Sequence, residues 1–303
     1  MLTIDTTRDL ITTLVVNGYH LLSYSRISTS YNILVLYKYD SFGAEIRYSI
    51  LLTDKIPSNG ILGTLTKIKN RTNSKEFAIS QMNLELDFDS YTYEEFYKKI
   101  GGVVNTGLVR SPVLSGLMNN LGLNLLSEGL EGAPNDLLEI YSKECLQYLF
   151  KSPARRYGKD RSFERLPDGV LLVKNISAFL FDSKAYSNGF EFTSDDINRF
   201  EKYIEDFSEK YSHLFAVKSF IVISGRFNDS DEAILNRSTD LLSRAQVPIA
   251  CIQAKTLAEM VAEIMKKPEF QQSIDWNQIF VKPVVKLSNL TSQIKKIEKD
   301  KII

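Results

Sequence analysis

Pro167-Asp168-Gly169-Val170-Leu171-Leu172-Val173-Lys174 and Ala178-Phe179-Leu180-Phe181-Asp182-Ser183-Lys184-Ala185-Tyr186 are two largely apolar runs separated by Asn175-Ile176-Ser177. The pattern predicts paired strands about a turn. Side chains alternate along a strand, so Asp182 and Lys184, at i and i+2, project from the same face. Two carboxylates, Asp168 and Asp182, with a lysine two residues after the second, are what phosphodiester hydrolysis needs. The carboxylates offer oxygens to a hard divalent cation, and the ammonium orients the attacking water and offsets charge on the phosphate. The alternative is that Asp182 and Lys184 form a solvated pair on an exposed strand. Against that reading, Phe179-Leu180-Phe181 is apolar enough to be interior, and charges ending a buried strand are costly unless paired or bound to metal.

From Leu138 to Glu263 the chain resembles the cleavage domain of FokI-type, type IIS restriction endonucleases, within the PD-(D/E)xK nuclease superfamily. The residues that carry the resemblance are Asp182-Ser183-Lys184-Ala185-Tyr186-Ser187-Asn188-Gly189, Pro167-Asp168-Gly169, and Lys218 to Phe227, which matches a family strand ending in Ser-Gly-x-Phe. Upstream, Leu138-Glu139 and Glu144 keep the family's spacing on its first helix, although the linker from Glu144 to Asp168 is a few residues longer here. The resemblance implies that Asp168, Asp182 and the carbonyl of Ser183 hold Mg²⁺, with Mn²⁺ as a substitute, and that Lys184 positions the nucleophilic water. It assigns Glu144 a metal-bound water or a second ion; the other reading of Glu144 is a helix-surface glutamate. In the family, the helix after the catalytic strand supports dimerisation through an acidic residue and an arginine one turn apart. Here Asn198 and Lys202 stand at those positions.

Composition sets wider bounds. The 303 residues suggest two domains, and the 44% hydrophobic content suffices for ordinary cores. With a net charge of zero, DNA affinity must come from a local basic surface. Cys145 and Cys251 sit in apolar patterns and read as core residues; with only two histidines, His20 and His213, a structural zinc site is not expected. No apolar run reaches the roughly 20 residues of a membrane span, and the first eleven residues lack a signal-peptide pattern, so a cytoplasmic location is expected.

The expected fold class is α/β. Residues 131–303 are expected to form a restriction-endonuclease-like domain with a mixed central sheet flanked by helices, and residues 1–130 a smaller N-terminal α/β domain that binds DNA or a partner. In the C-terminal part, helices are predicted over Pro134–Phe150, Ser194–Tyr211, Asp231–Arg244 and Thr256–Lys266, with strands at Phe220–Ile223 and Val247–Ile252. The Ser194–Tyr211 helix is capped by Thr193 or Ser194. In the N-terminal part, Thr6–Ser23, Asn59–Asn70 and Tyr91–Ile100 read as helices, Asn32–Tyr39 and Glu45–Leu52 as a hairpin about Asp40–Gly43, and Phe77–Gln81 as a strand. The order helix, hairpin, helix, strand recurs in both halves and raises the hypothesis of two nuclease-like folds, the first without a working site; coincidence is the competing account. Gly101–Gly132 reads as a connection containing a short Leu-rich helix, Lys67, Lys69, Arg71 and Lys75 as a solvated helix end, and Ser288–Ile303 as an amphipathic tail.

The sequence is therefore read as a Mg²⁺-dependent DNA endonuclease of the type IIS kind acting on double-stranded DNA and leaving 5′-phosphate ends. It recognises DNA itself or works beside a separate recognition subunit, and is expected to be monomeric until it dimerises on DNA. The alternatives are a non-catalytic DNA- or protein-binding module and a defence nuclease with little sequence preference.

Overall fold

The computed structural model describes residues 3–39, 44–100, 113–157, 166–173 and 177–300. The turn expected at Asp40–Gly43 lies outside them, as do Asn175 and Ile176 of the turn expected at Asn175–Ser177, whose Ser177 is the first residue of a strand. The chain divides into two compact units, Met1–Val104 with Lys210–Leu214, and Asn105–Glu209 with Phe215–Ile303.

The first unit runs α1 (Ile4–Val16), β1 (His20–Arg26), β2 (Tyr31–Tyr39), β3 (Glu45–Thr53), α2 (Asn59–Thr72), β4 (Lys75–Ser80), β5 (Ser90–Thr92) and α3 (Tyr93–Ile100). Helix α1 is shorter than the predicted Thr6–Ser23. Gly18 at φ +96° turns the chain after the Asn17 cap, and His20 onward becomes a strand. Likewise, residues 90–92 join the sheet before α3 starts, because β5 pairs with β4. The sheet order is β1-β2-β3-β4-β5, antiparallel for the first two pairings and parallel for the last two.

The second unit comprises α4 (Leu114–Gly122), α5 (Pro134–Phe150), β6 (Ala154–Arg156), β7 (Gly169–Val173), β8 (Ser177–Lys184), α6 (Ser194–Tyr211), β9 (Ala216–Ser224), α7 (Asp231–Ala245), β10 (Ile249–Gln253), α8 (Ala254–Lys266), α9 (Trp276–Phe280), β11 (Val284–Val285) and α10 (Leu287–Asp300). Its sheet order is β11-β10-β9-β8-β7-β6. The pairs β6/β7 and β7/β8 are antiparallel, whereas β8/β9, β9/β10 and β10/β11 are parallel. This is the mixed, helix-flanked sheet that the sequence predicts. Read from β1 and from β6, the two sheets share one sequence of pairings: two antiparallel, then parallel.

Both faces of the second sheet are covered, which is why β8 is buried without the usual polar alternation. Phe179 and Phe181 enter the core made by Leu117, Leu121, Leu146 and Leu257 of α4, α5 and α8. The Leu-rich α4 is thus part of this core. On the opposite face, Phe200 of α6 stacks on Phe220 of β9 at 4.2 Å, and Ile197, Ile204 and Phe207 are buried alongside. Cys145 and Cys251 are free thiols within the interior, as their apolar surroundings predicted.

Candidate active site

The register of the β7/β8 ladder builds the site. Gly169 pairs with Phe181 and Val170 with Leu180, so one step beyond the ladder Asp168 comes opposite Asp182. Directly opposed residues of an antiparallel pair share a face, with Cβ atoms about 4.5–5.5 Å apart. Strand alternation adds Lys184, whose Nζ lies 2.6 Å from Asp182 Oδ2. Asp168 is fixed from two sides. Its carbonyl accepts from the Tyr157 N–H at 2.7 Å, and its Oδ2 accepts from the Ser183 N–H at 2.6 Å.

Gly169 is required by space. A Cβ there would meet Phe181 Cζ at 2.2 Å and the Arg155 carbonyl oxygen at 2.4 Å. The Ser-Gly-x-Phe segment after β9 buttresses the other end of the site. Ser224 Oγ donates to the Lys184 carbonyl at 2.8 Å, and Gly225 lets α4 approach so closely that a Cβ on Gly122 would lie 2.5 Å from the Gly225 nitrogen. Arg226 Nη2 and Asn228 Nδ2 donate to the Asn188 carbonyl at 2.5 and 3.0 Å, holding the loop that follows β8. Phe190, in that loop, lies under Lys184 Nζ at 5.9 Å from its ring centroid.

Burial, then the neighbouring Asp182 and then Glu139, raise the Asp168 carboxyl well above the ordinary carboxylate range. Burial works against the Lys184 charge, but Asp182 and Asp168 outweigh it and hold the ammonium above its usual value. The two opposed carboxylates therefore concentrate negative charge that one lysine only partly offsets. A small divalent cation suits such a pocket, because hard cations take carboxylate and carbonyl oxygens. Among the described residues there is no group of three or more His, Cys, Asp or Glu side chains placed to hold a metal. The available donor set is thus the two aspartates plus backbone carbonyls.

Three residues that the sequence left unassigned face this charge from α6. Asp182 stands on the sheet face that α6 covers, since it shares strand parity with Leu180, the partner of Phe220. Burial opposes the Arg199 charge, but Asp182 first and Asp196 next raise its pKa; the hydroxyl of the half-buried Tyr203 is pushed up by partial burial and then by Asp182. Asp196 accepts from Arg199 Nη2. The i, i+3, i+7 spacing of Asp196, Arg199 and Tyr203 is the signal that places them on one side of the helix.

On α5 the structure separates the two glutamates. Glu139 is the one whose charge reaches Asp168, and it is 3.5 Å from Arg156 Nη1. Glu144 is buried and accepts from Lys143 Nζ at 2.8 Å. Five residues along a helix rotate a side chain by about 500°, leaving the two roughly 140° apart around the axis.

A mixed sheet that sets a Pro-Asp opposite an Asp-x-Lys defines a nuclease fold of the PD-(D/E)xK class. Residues 113–283, more than half of the chain, match the family described as FokI, cleavage domain, and the chain belongs to that family. Similar solved structures include restriction endonuclease FokI bound to DNA, at 14% identity and a TM-score of 0.43, covering 67% of this chain and 37% of that one. Another is restriction endonuclease FokI, also at 14% and 0.43, covering 75% of this chain and 43% of that one. The chain therefore spans less than half of the structures it is similar to. No curated protein matches the sequence.

Proposed function

We propose that this protein is a Mg²⁺-dependent endonuclease that hydrolyses double-stranded DNA in the manner of a type IIS restriction enzyme. The observation that carries the reading is the ladder register that brings Asp168 opposite Asp182 with Lys184 beside them. Asp168, Asp182 and the carbonyl of Ser183 would hold Mg²⁺, or Mn²⁺ in its place, which supplies Lewis acidity toward the scissile phosphate. Lys184 orients the attacking water and offsets charge developing on the phosphate oxygens. Its contact with Asp182 keeps it protonated and aimed at that point. Arg199, partly exposed above Asp182, is suited to a neighbouring phosphate of the bound strand. Glu139 takes the outer acidic role that the family pattern suggested for Glu144, because its charge reaches Asp168.

A purely DNA-binding module has no use for this arrangement, since buried like charges facing phosphate weaken binding. The site of action is the cytoplasm, and among the described residues no helix is long and apolar enough to cross a membrane. The N-terminal unit binds DNA or the partner that reads the sequence. Incubation of the purified chain with mixed plasmids and Mg²⁺, followed by end mapping, tests the proposal: 5′-phosphate ends support it. Intact plasmid at high enzyme concentration, with Mg²⁺ and Mn²⁺ both tried and a recognition partner supplied, refutes it.

A further inference from the structure

The first unit contains a cavity of about 350 Å³, within the roughly 300–1,000 Å³ range of small-molecule sites. Its wall is a run of aromatic rings. Tyr19 meets Tyr48 edge-on at 5.5 Å, Tyr48 meets Phe77 at 6.1 Å, and Phe77 meets Tyr91 at 6.0 Å. The three tyrosines stay partly exposed, leaving ring surface for a ligand. Burial pushes the Tyr19 and Tyr48 hydroxyls up, so both remain donors at neutral pH.

Lysines stand at the same cavity. Lys38 Nζ sits 4.9 Å from the Tyr19 centroid and Lys99 Nζ 4.1 Å from that of Tyr91, with Lys75 a third. Glu76, alternating with Lys75 and Phe77 along β4, faces α2 instead, where its Oε1 accepts from Lys69 Nζ at 2.6 Å; Asp89 is the carboxylate at this cavity, and it accepts from the Tyr91 hydroxyl at 3.2 Å. Flat π surface with ammonium groups at its margin calls for a ligand with an aromatic face and a negative charge.

We propose that this cavity binds a nucleoside 5′-phosphate, with the base against the tyrosines and the phosphate on Lys38 and Lys99. Quaternary ammonium ligands also favour aromatic cages, but three lysines against the one carboxylate of Asp89 oppose a cation. The nucleotide comes either free from solution or as a base turned out of a DNA strand. None of the proposed cleavage residues lies in this unit, so the site stands or falls independently of the nuclease reading.

The test is calorimetric titration of the full chain in EDTA, which also prevents cleavage, with dAMP, dCMP, deoxyribose 5-phosphate, tetramethylammonium and short oligonucleotides. Nucleotides should bind at least tenfold more tightly than deoxyribose 5-phosphate. Lys99→Ala, at an exposed position, and Lys38→Ala, at a half-buried one against Tyr19, each checked for an unchanged thermal unfolding midpoint, should weaken binding at least fivefold. Free nucleotides binding as tightly as oligonucleotides identify the free source; oligonucleotides binding tenfold more tightly, with the same sensitivity to both lysine variants, identify the strand. The proposal is overturned if neither binds at millimolar concentration, if the lysine variants bind unchanged, or if tetramethylammonium binds in place of nucleotides.

Discussion

Asp182 carries the most demanding role at the scale of single residues. In the proposed reaction, replacing it with alanine removes an oxygen that would hold the metal and part of the phosphate repulsion together. Asp182→Ala should lower the cleavage rate by roughly 10³-fold or more, equivalent to several kcal/mol of transition-state stabilisation, while DNA affinity stays level or rises. Plasmid cleavage and a gel-shift titration measure both; normal cleavage by this variant removes the site from consideration. Lys184→Ala should be comparably slow yet retain Mn²⁺ binding in calorimetry, because an ammonium is not a ligand. Loss of Mn²⁺ binding in that variant contradicts the division of roles. Gly169→Ala tests the backbone beneath the site. The added Cβ would fall 2.2 Å from Phe181 Cζ and 2.4 Å from the Arg155 carbonyl, and a strand backbone cannot yield that much without moving Asp168. A loss of about 1–3 kcal/mol in denaturant unfolding is expected.

At the scale of elements, α6 links stability to the site. Thr193 and Asp196 form a reciprocal cap: Thr193 N–H donates to Asp196 Oδ2 at 3.0 Å, and Asp196 N–H to Thr193 Oγ1 at 3.2 Å. Asp196→Ala should cost about 0.5–2 kcal/mol, the usual range for a lost cap. Burial favours the neutral form of Asp196, but the Thr193 bonds, with Arg199 and Lys184 behind them, outweigh it and hold the carboxyl below its usual value. A depressed folded pKa means that this contribution is complete above the unfolded value of about 3.9 and disappears as pH falls through the folded value. The gap in unfolding free energy between wild type and variant should therefore be constant near neutrality and narrow in strong acid. A gap that widens on acidification would show that the cap is not the source.

For the molecule as a whole, the question is assembly, since one such site cuts one strand. Asn198, at the family's acidic dimer position, instead accepts from Arg244 Nη1 of α7 at 3.0 Å within the same chain, and Arg244 also pairs with Glu201 and Asp240. The oppositely charged pair of the family is replaced by Asn198 and Lys202, which removes a reciprocal charge contact and should weaken self-association. A monomer in dilute solution, with nicked circles accumulating at low enzyme and a rate that rises faster than linearly with concentration, is expected. Sedimentation showing a tight dimer without DNA, alongside linear kinetics, would oppose this.

The sequence by itself determined the elements whose signals are local. Helix α5 begins at a proline and runs its predicted length, α6 follows from the spacing of Ile197, Phe200, Ile204 and Phe207, and β7 and β8 follow from apolar runs that end in charge. The shared face of Asp182 and Lys184 was equally legible, because strand alternation fixes it without reference to the rest of the chain. Tertiary structure alone decided the features made by distant pairing. β6 is three residues with two arginines and β11 is two residues, too short for any periodicity, and each is a strand only because a neighbour accepts its hydrogen bonds. The helix predicted over Thr6–Ser23 runs into the first residues of β1, His20–Ser23, because apolar spacing continues past the Gly18 turn that ends α1. Arg199, Tyr203 and Glu139 come near Asp168 and Asp182 because α6 and α5 pack where they do, and the cavity of the first unit gathers rings separated by up to 77 positions, from Tyr19 to Phe96. Helical spacing shows which side chains share a face, but only packing decides what that face meets.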